Sequence, residues 1–326
     1  MKEFNILFLS AGRRVELIKQ FKEAANELNI KSKLISVDSS PTAPAFYFTD
    51  SFYIVPSIHD NEYISSLINI CHKENIHLII PTIDWDLLRI AQNKEFIENE
   101  TNAKVLVSDL DVLSICINKM NTQEFFEING FDSPKIITEE ALEMKDYVLP
   151  LFIKPFDGSS SIQSFKVNSE RELEFFRQYV KNPMVQEFID GEEFTIDAFL
   201  DFNSKILSIV PRKRIAVRSG EISKGMISKD ASIINKVKEL LETLKPIGQV
   251  TIQCFKTEDS IKFIEINPRF GGGAPMSFKA GANSAIAIYK LLMGYELSYS
   301  EDYEDELLCL RYDQTVYIHQ KSSVIS

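Results

Sequence analysis

The chain has 326 residues, enough for two domains or for one domain with a large subdomain, and too many for a hormone or a lone binding module. Hydrophobic residues make up 44% and charged residues 25%, with 12 Gly and 12 Pro, which excludes collagen-like and linker-rich chains. Lys+Arg 36 against Asp+Glu 47 gives a net charge of −11, so neither nucleic acid nor an anionic membrane is expected as a partner, because both require a positive field.

The first third alternates short apolar runs with helical patterns. NILFLS is followed by a stretch in which Val15, Ile18, Phe21, Ala25 and Leu28 recur every three or four residues. KLISVD, FYIV, a helix near residues 62–72, HLIIP, a second helix over 84–96 and KVLVS come next. Strands separated by such helices predict βαβ units and a parallel sheet covered on both faces. Ligands of these sheets sit beyond the carboxyl ends of the strands, which makes SAGRR (10–14), the segment from Asp38 to Ala45 and PTIDWD (81–86) the loops to watch.

From about Asp109 the pattern changes. Two helical pieces flank Lys119, and then short strands dominate: PLFIKP, SFKV, MVQEFI, EEFTIDAFL and KILSIVPRKRIAV. DFNS and TED supply hairpin chemistry, residues 229–244 are helical, a last helix is expected over 276–293, and an alternating strand near 308–318 closes the chain. This half reads as α+β. The four cysteines lie far apart with no C-x-x-C pair, the apolar run Ile6 to Leu9 is too short for a secretion signal, and no segment approaches the roughly 20 apolar residues of a membrane span. A cytoplasmic protein is expected.

Three segments carry chemistry. In FIEINPRFGGG, strand alternation puts Glu265 and Asn267 on one face with Ile266 toward a core, and a three-residue TED loop would set Gln253 opposite Glu265. Three oxygen-bearing side chains would then converge, a set suited to Mg²⁺. A solvated sheet face also gives E-x-N; Arg269 and three consecutive glycines distinguish this one. PLFIKPFDGSSS places Lys154 before a Gly/Ser loop whose N–H and hydroxyl groups can approach a phosphate, although a plain surface turn has the same composition. VQEFIDGEEFTID offers an extended hinge and glutamates able to meet a base and a ribose, or simply two strands and a turn.

Together, NKMNTQEFF, FIKPFDGSSS, VQEFIDGEEFTID, TIQ and IEINPRFGGG occur in the order of the ATP-grasp superfamily, and the chain resembles a short stand-alone relative of the carbamoyl-phosphate synthetase large chain. The resemblance spans nearly the whole chain. It implies a Rossmann-like parallel-sheet domain preceding the ATP-grasp unit (1–108), a small lid subdomain (109–182) and a catalytic subdomain (183–326). It implies that Lys119 and Lys154 contact ATP phosphates under a loop containing Ser159, Ser160 and Ser161. Glu187 and Ile189 would meet adenine through the backbone, with Phe188 alongside and Glu193 on the ribose. Gln253, Glu265 and Asn267 match ligands of Mg²⁺, or of Mn²⁺ in its place, and Arg269 an arginine facing the γ-phosphate or the acyl-phosphate. Two departures stand out: Asn118 replaces an Asp common before the lysine, and Ile162-Gln163 follow the serines where Gly is usual.

On strand alternation, Arg212 and Arg214 share a face and are candidate phosphate or carboxylate contacts; a solvated strand face is the competing reading. Residues 205–224 hold six basic residues and one acid, a local anion site hidden in the acidic total. The implied activity is an ATP-dependent ligase that converts a carboxylate to an acyl-phosphate for attack by an amine. Carboxy-phosphate chemistry on bicarbonate and a nucleotide-binding sensor without turnover are the alternatives. Small-molecule partners are expected, and a homodimer is left open.

Overall fold

A computed structural model describes residues 2–157, 162–218 and 220–319. The first domain runs β1 (Asn5–Leu9), α1 (Val15–Glu27), β2 (Leu34–Asp38), β3 (Ser51–Ile54), α2 (Tyr63–Glu74), β4 (Ile76–Pro81), α3 (Asp84–Gln92), α4 (Lys94–Thr101) and β5 (Lys104–Val105). Its strands form a parallel sheet in the order β3-β2-β1-β4-β5. β1 is buried on both faces: Ile6 and Phe8 join one core and Leu7 and Leu9 the other, as period-2 alternation between two helical layers requires. The single helix expected over 84–96 is broken at Asn93, whose side-chain amide donates to the Arg89 carbonyl at 2.8 Å and competes with the helix ladder.

Helices α5 (Leu110–Ile117) and α6 (Lys119–Ile128) lead into a small unit of α7 (Glu139–Met144), β6 (Leu151–Pro155), β7 (Phe165–Val167), α8 (Glu170–Tyr179) and β8 (Pro183–Glu187), with a three-stranded antiparallel sheet ordered β7-β6-β8. Both α7 and α8, which are not among the expected elements, start at capping hydroxyls, Thr138 and Ser169.

The remaining elements are β9 (Glu192–Leu200), β10 (Ile206–Arg218), β11 (Glu221–Ile227), α9 (Ala231–Leu244), β12 (Gly248–Lys256), β13 (Ile261–Asn267), α10 (Ala274–Lys279), α11 (Ser284–Leu292) and β14 (Leu308–Leu310). They build a six-stranded sheet ordered β13-β12-β9-β10-β11-β14. One face is apolar: Phe194, Ile196, Ala198, Val250, Ile252 and Phe263 pack with α9. The opposite face carries the alternating polar residues. The expected last helix is two, because Gly281 has φ +116° and Asn283 caps α11 through bonds to the Ala285 and Ile286 N–H groups. The last strand is only three residues long.

The first and last thirds share a core. Phe21 of α1 meets Phe270 and Tyr289 edge-on, with centroids 6.1 and 6.0 Å apart, and Phe8 and Phe278 complete the cluster. Because Phe270 follows Arg269, this contact fixes the Arg269–Gly273 segment against the parallel-sheet domain. Among the described residues no helix is long and apolar enough to cross a membrane.

Candidate active site

The polar face of the large sheet is a grid set by antiparallel register. Glu265, Gln253, Thr195 and Arg212 stand directly across from one another on β13, β12, β9 and β10. Asn267, Thr251 and Asp197 form the next row. Gln253 does face Glu265, though not through a three-residue loop. The turn spans residues 257–260, and one extra residue in β13, Ile264, restores the pairing.

Above this face lies a cleft of about 680 Å³, walled by β6 and β8 of the small sheet and by residues 83–85 and 87 of the parallel-sheet domain. That size is typical of small-molecule sites. Arg269, Lys154, Arg214, Lys119, Glu187, Phe188, Ile189, Glu193, Arg212, Gln253, Glu265 and Asn267 all line it. Ser159, Ser160 and Ser161 lie outside the described residues.

Glu265 is the centre of the grid. Its Oε1 accepts from Gln253 Nε2 at 2.5 Å and from Asn267 Nδ2 at 3.0 Å. Turning the two carboxamides by half a rotation would present oxygens instead of NH₂ groups, giving one carboxylate and two neutral oxygens. Among the described residues no group of three or more His, Cys, Asp or Glu could hold a metal. One carboxylate with two carboxamide oxygens fits a hard cation such as Mg²⁺, which takes few protein ligands and completes its shell with water and phosphate oxygens.

Two lysines flank this patch. Lys154 is 8% exposed on β6, and burial pushes its pKa down to about 8 against the opposing pull of Glu265. Lys119 opens α6 and donates to the Pro155 carbonyl at 3.2 Å; burial lowers its pKa too, with Glu265 and Asp157 acting the other way. Asn118 caps that helix by accepting from the Met120 N–H at 2.9 Å, so its replacement of Asp keeps the cap.

The arginines divide sharply. Arg212 is 1% exposed and bound to buried Asp197 through Nε and Nη2 at 2.7 and 3.0 Å, with the Ser277 hydroxyl donating to the same carboxylate at 2.5 Å. Asp197 was not picked out from sequence, although it continues the alternation of Glu193 and Thr195. Arg214 donates to Thr195 Oγ1 and the Gly220 carbonyl, both at 3.0 Å, while its buried Nε has no hydrogen-bond partner even though Glu193 Oε1 lies 3.2 Å away. Burial raises the Glu193 pKa, opposed by Arg214. Arg269 binds Asp84 of α3 through two bonds of 2.9 Å; burial works against its charge, and Asp84 overcomes this and raises its pKa.

The basic run 205–224 is not one anion site. Lys205 donates to the Leu297 carbonyl, Lys213 pairs with Glu192 and Arg218 with Asp313, so only Arg212 and Arg214 of the six bases line the cleft. The three glycines at 271–273 are closely packed. A Cβ on Gly271 would sit 2.8 Å from Thr251 Oγ1, on Gly272 2.4 Å from the Glu221 carboxylate and on Gly273 2.5 Å from Arg212 Nη1, so their smallness is already filled. Lys279, just beyond the glycines, pairs with Glu23 on the surface.

At the hinge, the Glu187 N–H donates to the Lys135 carbonyl at 2.9 Å, and its carboxylate takes the Lys135 N–H and Lys262. Lys166 sits 3.9 Å over the Phe188 ring, and Ile189 is buried.

Residues 6–106 match the family model of the PylC-like N-terminal domain and residues 116–273 that of the ATP-grasp domain. The chain thus carries an ATP-grasp domain behind a PylC-like N-terminal domain. It is 23% identical over 182 residues to a carbamoyl-phosphate synthase of Methanobrevibacter smithii, covering 54% of this chain and 48% of that one. It is 26% identical over 282 residues to a D-alanine–D-alanine ligase of Clostridium botulinum, covering 76% and 88%. The chain thus spans about half of the first relative and most of the second. Its fold is similar to that of the biotin carboxylase domain of Hydrogenobacter thermophilus 2-oxoglutarate carboxylase, solved with MgADP and bicarbonate (TM-score 0.72, 15% identity, 94% of this chain and 73% of that one). It is also similar to N5-carboxyaminoimidazole synthetase from Staphylococcus aureus with ADP (TM-score 0.71, 16% identity, 95% and 81%).

Proposed function

We propose that the protein is an ATP-dependent, ADP-forming ligase that activates a small-molecule carboxylate as an acyl-phosphate for attack by an amine. The observation that carries this reading is the convergence of Gln253, Glu265 and Asn267 in one cleft with Lys154, Lys119 and Arg269. Phosphoryl transfer needs in-line positioning and neutralised charge more than covalent help, and this lining provides both.

In this reading Lys119 and Lys154 take the phosphates, the 187–189 segment takes adenine and Glu193 the ribose. With its N–H committed to Lys135, Glu187 has its carbonyl to offer the base. Gln253, Glu265 and Asn267 would hold Mg²⁺, which when bound neutralises phosphate charge and orients the γ-phosphoryl group. A substrate carboxylate oxygen attacks the γ-phosphorus, the bond to the β-phosphate oxygen breaks, and ADP leaves. The amine then adds at the acyl carbon, and inorganic phosphate departs as the amine gives up a proton. Arg214, which lines the cleft beside Glu193, adds positive charge on this face for a phosphate oxygen. Arg212 enters only through its charge, since its fork is closed on Asp197. The likeness to carbamoyl-phosphate synthase supports bicarbonate as a second candidate acyl donor.

The test is ADP release by the purified protein against carboxylates paired with amines, with Glu265→Ala as control. Turnover with one pair, abolished in a Glu265→Ala protein that still folds, supports the reading. Unchanged turnover in that variant defeats the metal assignment.

A further inference from the structure

The first βα turn carries two consecutive arginines with different fates. Arg13 is exposed and pairs with Asp313, whereas Arg14 turns inward, keeps 17% of its side chain exposed and lines the cleft. Around it three guanidinium groups share two carboxylates. Arg269 closes on Asp84 through two 2.9 Å bonds, and Arg311 holds Glu221 at 3.0 Å and the Ile222 carbonyl at 2.8 Å. Arg14 reaches the same Glu221 at only 3.3 Å and the Thr82 carbonyl at 3.3 Å.

Of the three, Arg14 is the most loosely neutralised, and burial followed by the charge of Arg269 lowers its pKa. A shielded cation that shares its counter-charge is unfavourable by itself and is stabilised by an anion arriving from the cleft. The same cleft is lined by apolar side chains that meet water: Trp85 is 69% exposed and Val217 45%. Exposed apolar side chains inside a binding cleft are surface for a ligand to cover.

We propose that Arg14 anchors the carboxylate of the acyl substrate beside Arg269, and that this substrate is an organic acid whose apolar body lies along Trp85 and Val217, rather than bicarbonate. The inference rests on the ligase reading and deepens it. The one net positive charge that three guanidinium groups leave over two carboxylates would offset the repulsion between the carboxylate and a triphosphate, and the planar fork of Arg14 would orient the attacking oxygen.

Trp85 is the only tryptophan in the chain, so its fluorescence reports on this wall directly. With MgADP bound, the protein is titrated with benzoate, isovalerate, benzamide and bicarbonate. Saturable fluorescence changes are expected with benzoate or isovalerate and none with benzamide. Arg14→Gln should weaken carboxylate binding about ten- to a hundredfold, with Arg14→Lys between the two, while MgADP affinity by calorimetry stays within about twofold. A response to bicarbonate alone, no response to either organic acid, or equal carboxylate affinity in Arg14→Gln overturns the proposal. Failure of the wild-type protein to bind MgADP in the same calorimetry would instead defeat the ligase reading, so the two failures are told apart.

Discussion

Replacing Lys154 with Met separates what the buried ammonium costs the fold from what it does for a nucleotide. Lys154 is 8% exposed, and burial holds its pKa at about 8 instead of 10.5. At about 1.4 kcal/mol per pH unit, that gap corresponds to roughly 3 kcal/mol of destabilisation. The folded protein releases this proton more readily than the unfolded chain. The cost is therefore present in full below about pH 8 and fades as pH rises toward 10.5. Lys154→Met, similar in length and apolar, should raise the urea midpoint at neutral pH by an amount approaching that figure, and the gain should shrink in alkaline buffer. A bound triphosphate restores the ammonium, so nucleotide binding takes up a proton near pH 8. The wild-type Kd should rise about tenfold between pH 7 and pH 9, and calorimetry in buffers of different ionisation enthalpy should show the uptake. The variant should bind about ten- to a hundredfold more weakly at neutral pH and lose the pH dependence. A wild-type affinity that is flat from pH 7 to 9, or a variant that is less stable yet binds normally, would refute this account of Lys154.

Gly273→Ala would drive a Cβ to 2.5 Å from an Arg212 nitrogen that Asp197 holds in place, and should cost about 1–3 kcal/mol in urea unfolding; Gly272→Ala should cost less, because the Glu221 carboxylate it meets is the end of a flexible side chain. Asp197→Asn removes the charge partner of a fully buried guanidinium and should destabilise by about 3–5 kcal/mol, measured by denaturant midpoint. Asp86 is 0% exposed, with Oδ2 unpartnered, and burial raises its pKa to about 7. Its folded form holds the proton to higher pH than the unfolded chain does, so stability is lost as pH rises from about 4 through 7. Asp86→Asn should remove that slope, which unfolding curves at pH 5 and 8 would reveal.

Periodicity made the parallel-sheet domain legible. NILFLS, KLISVD and HLIIP became β1, β2 and β4 because apolar runs between helices have few other ways to bury two faces. Alternation also predicted the shared face of Glu265 and Asn267, since period 2 holds whatever the strand neighbours. The short α7 escaped although its capping residue was present, because a helix of six residues carries too few turns for a periodic signal, whereas α8 was legible in its Ser169 cap and in Leu173, Phe176 and Val180 at helical spacing. The register of β12 against β13 needed a bulge at Ile264 that no local signal announced.

What the sequence by itself determined was therefore the layer architecture and which side chains stand on the polar face of each strand, because both follow from local repeat and burial. What only the tertiary structure decided was which charges remain open. Arg212 and Arg214 are two residues apart on one face, yet one is closed on Asp197 by two hydrogen bonds and the other lies beside Glu193 without one. Arg269 is taken by Asp84 from another domain, and Arg13 and Arg14, adjacent in the chain, meet solvent and the cleft respectively. Ion pairing depends on distance in space and on desolvation, and neither is encoded in the spacing along the chain.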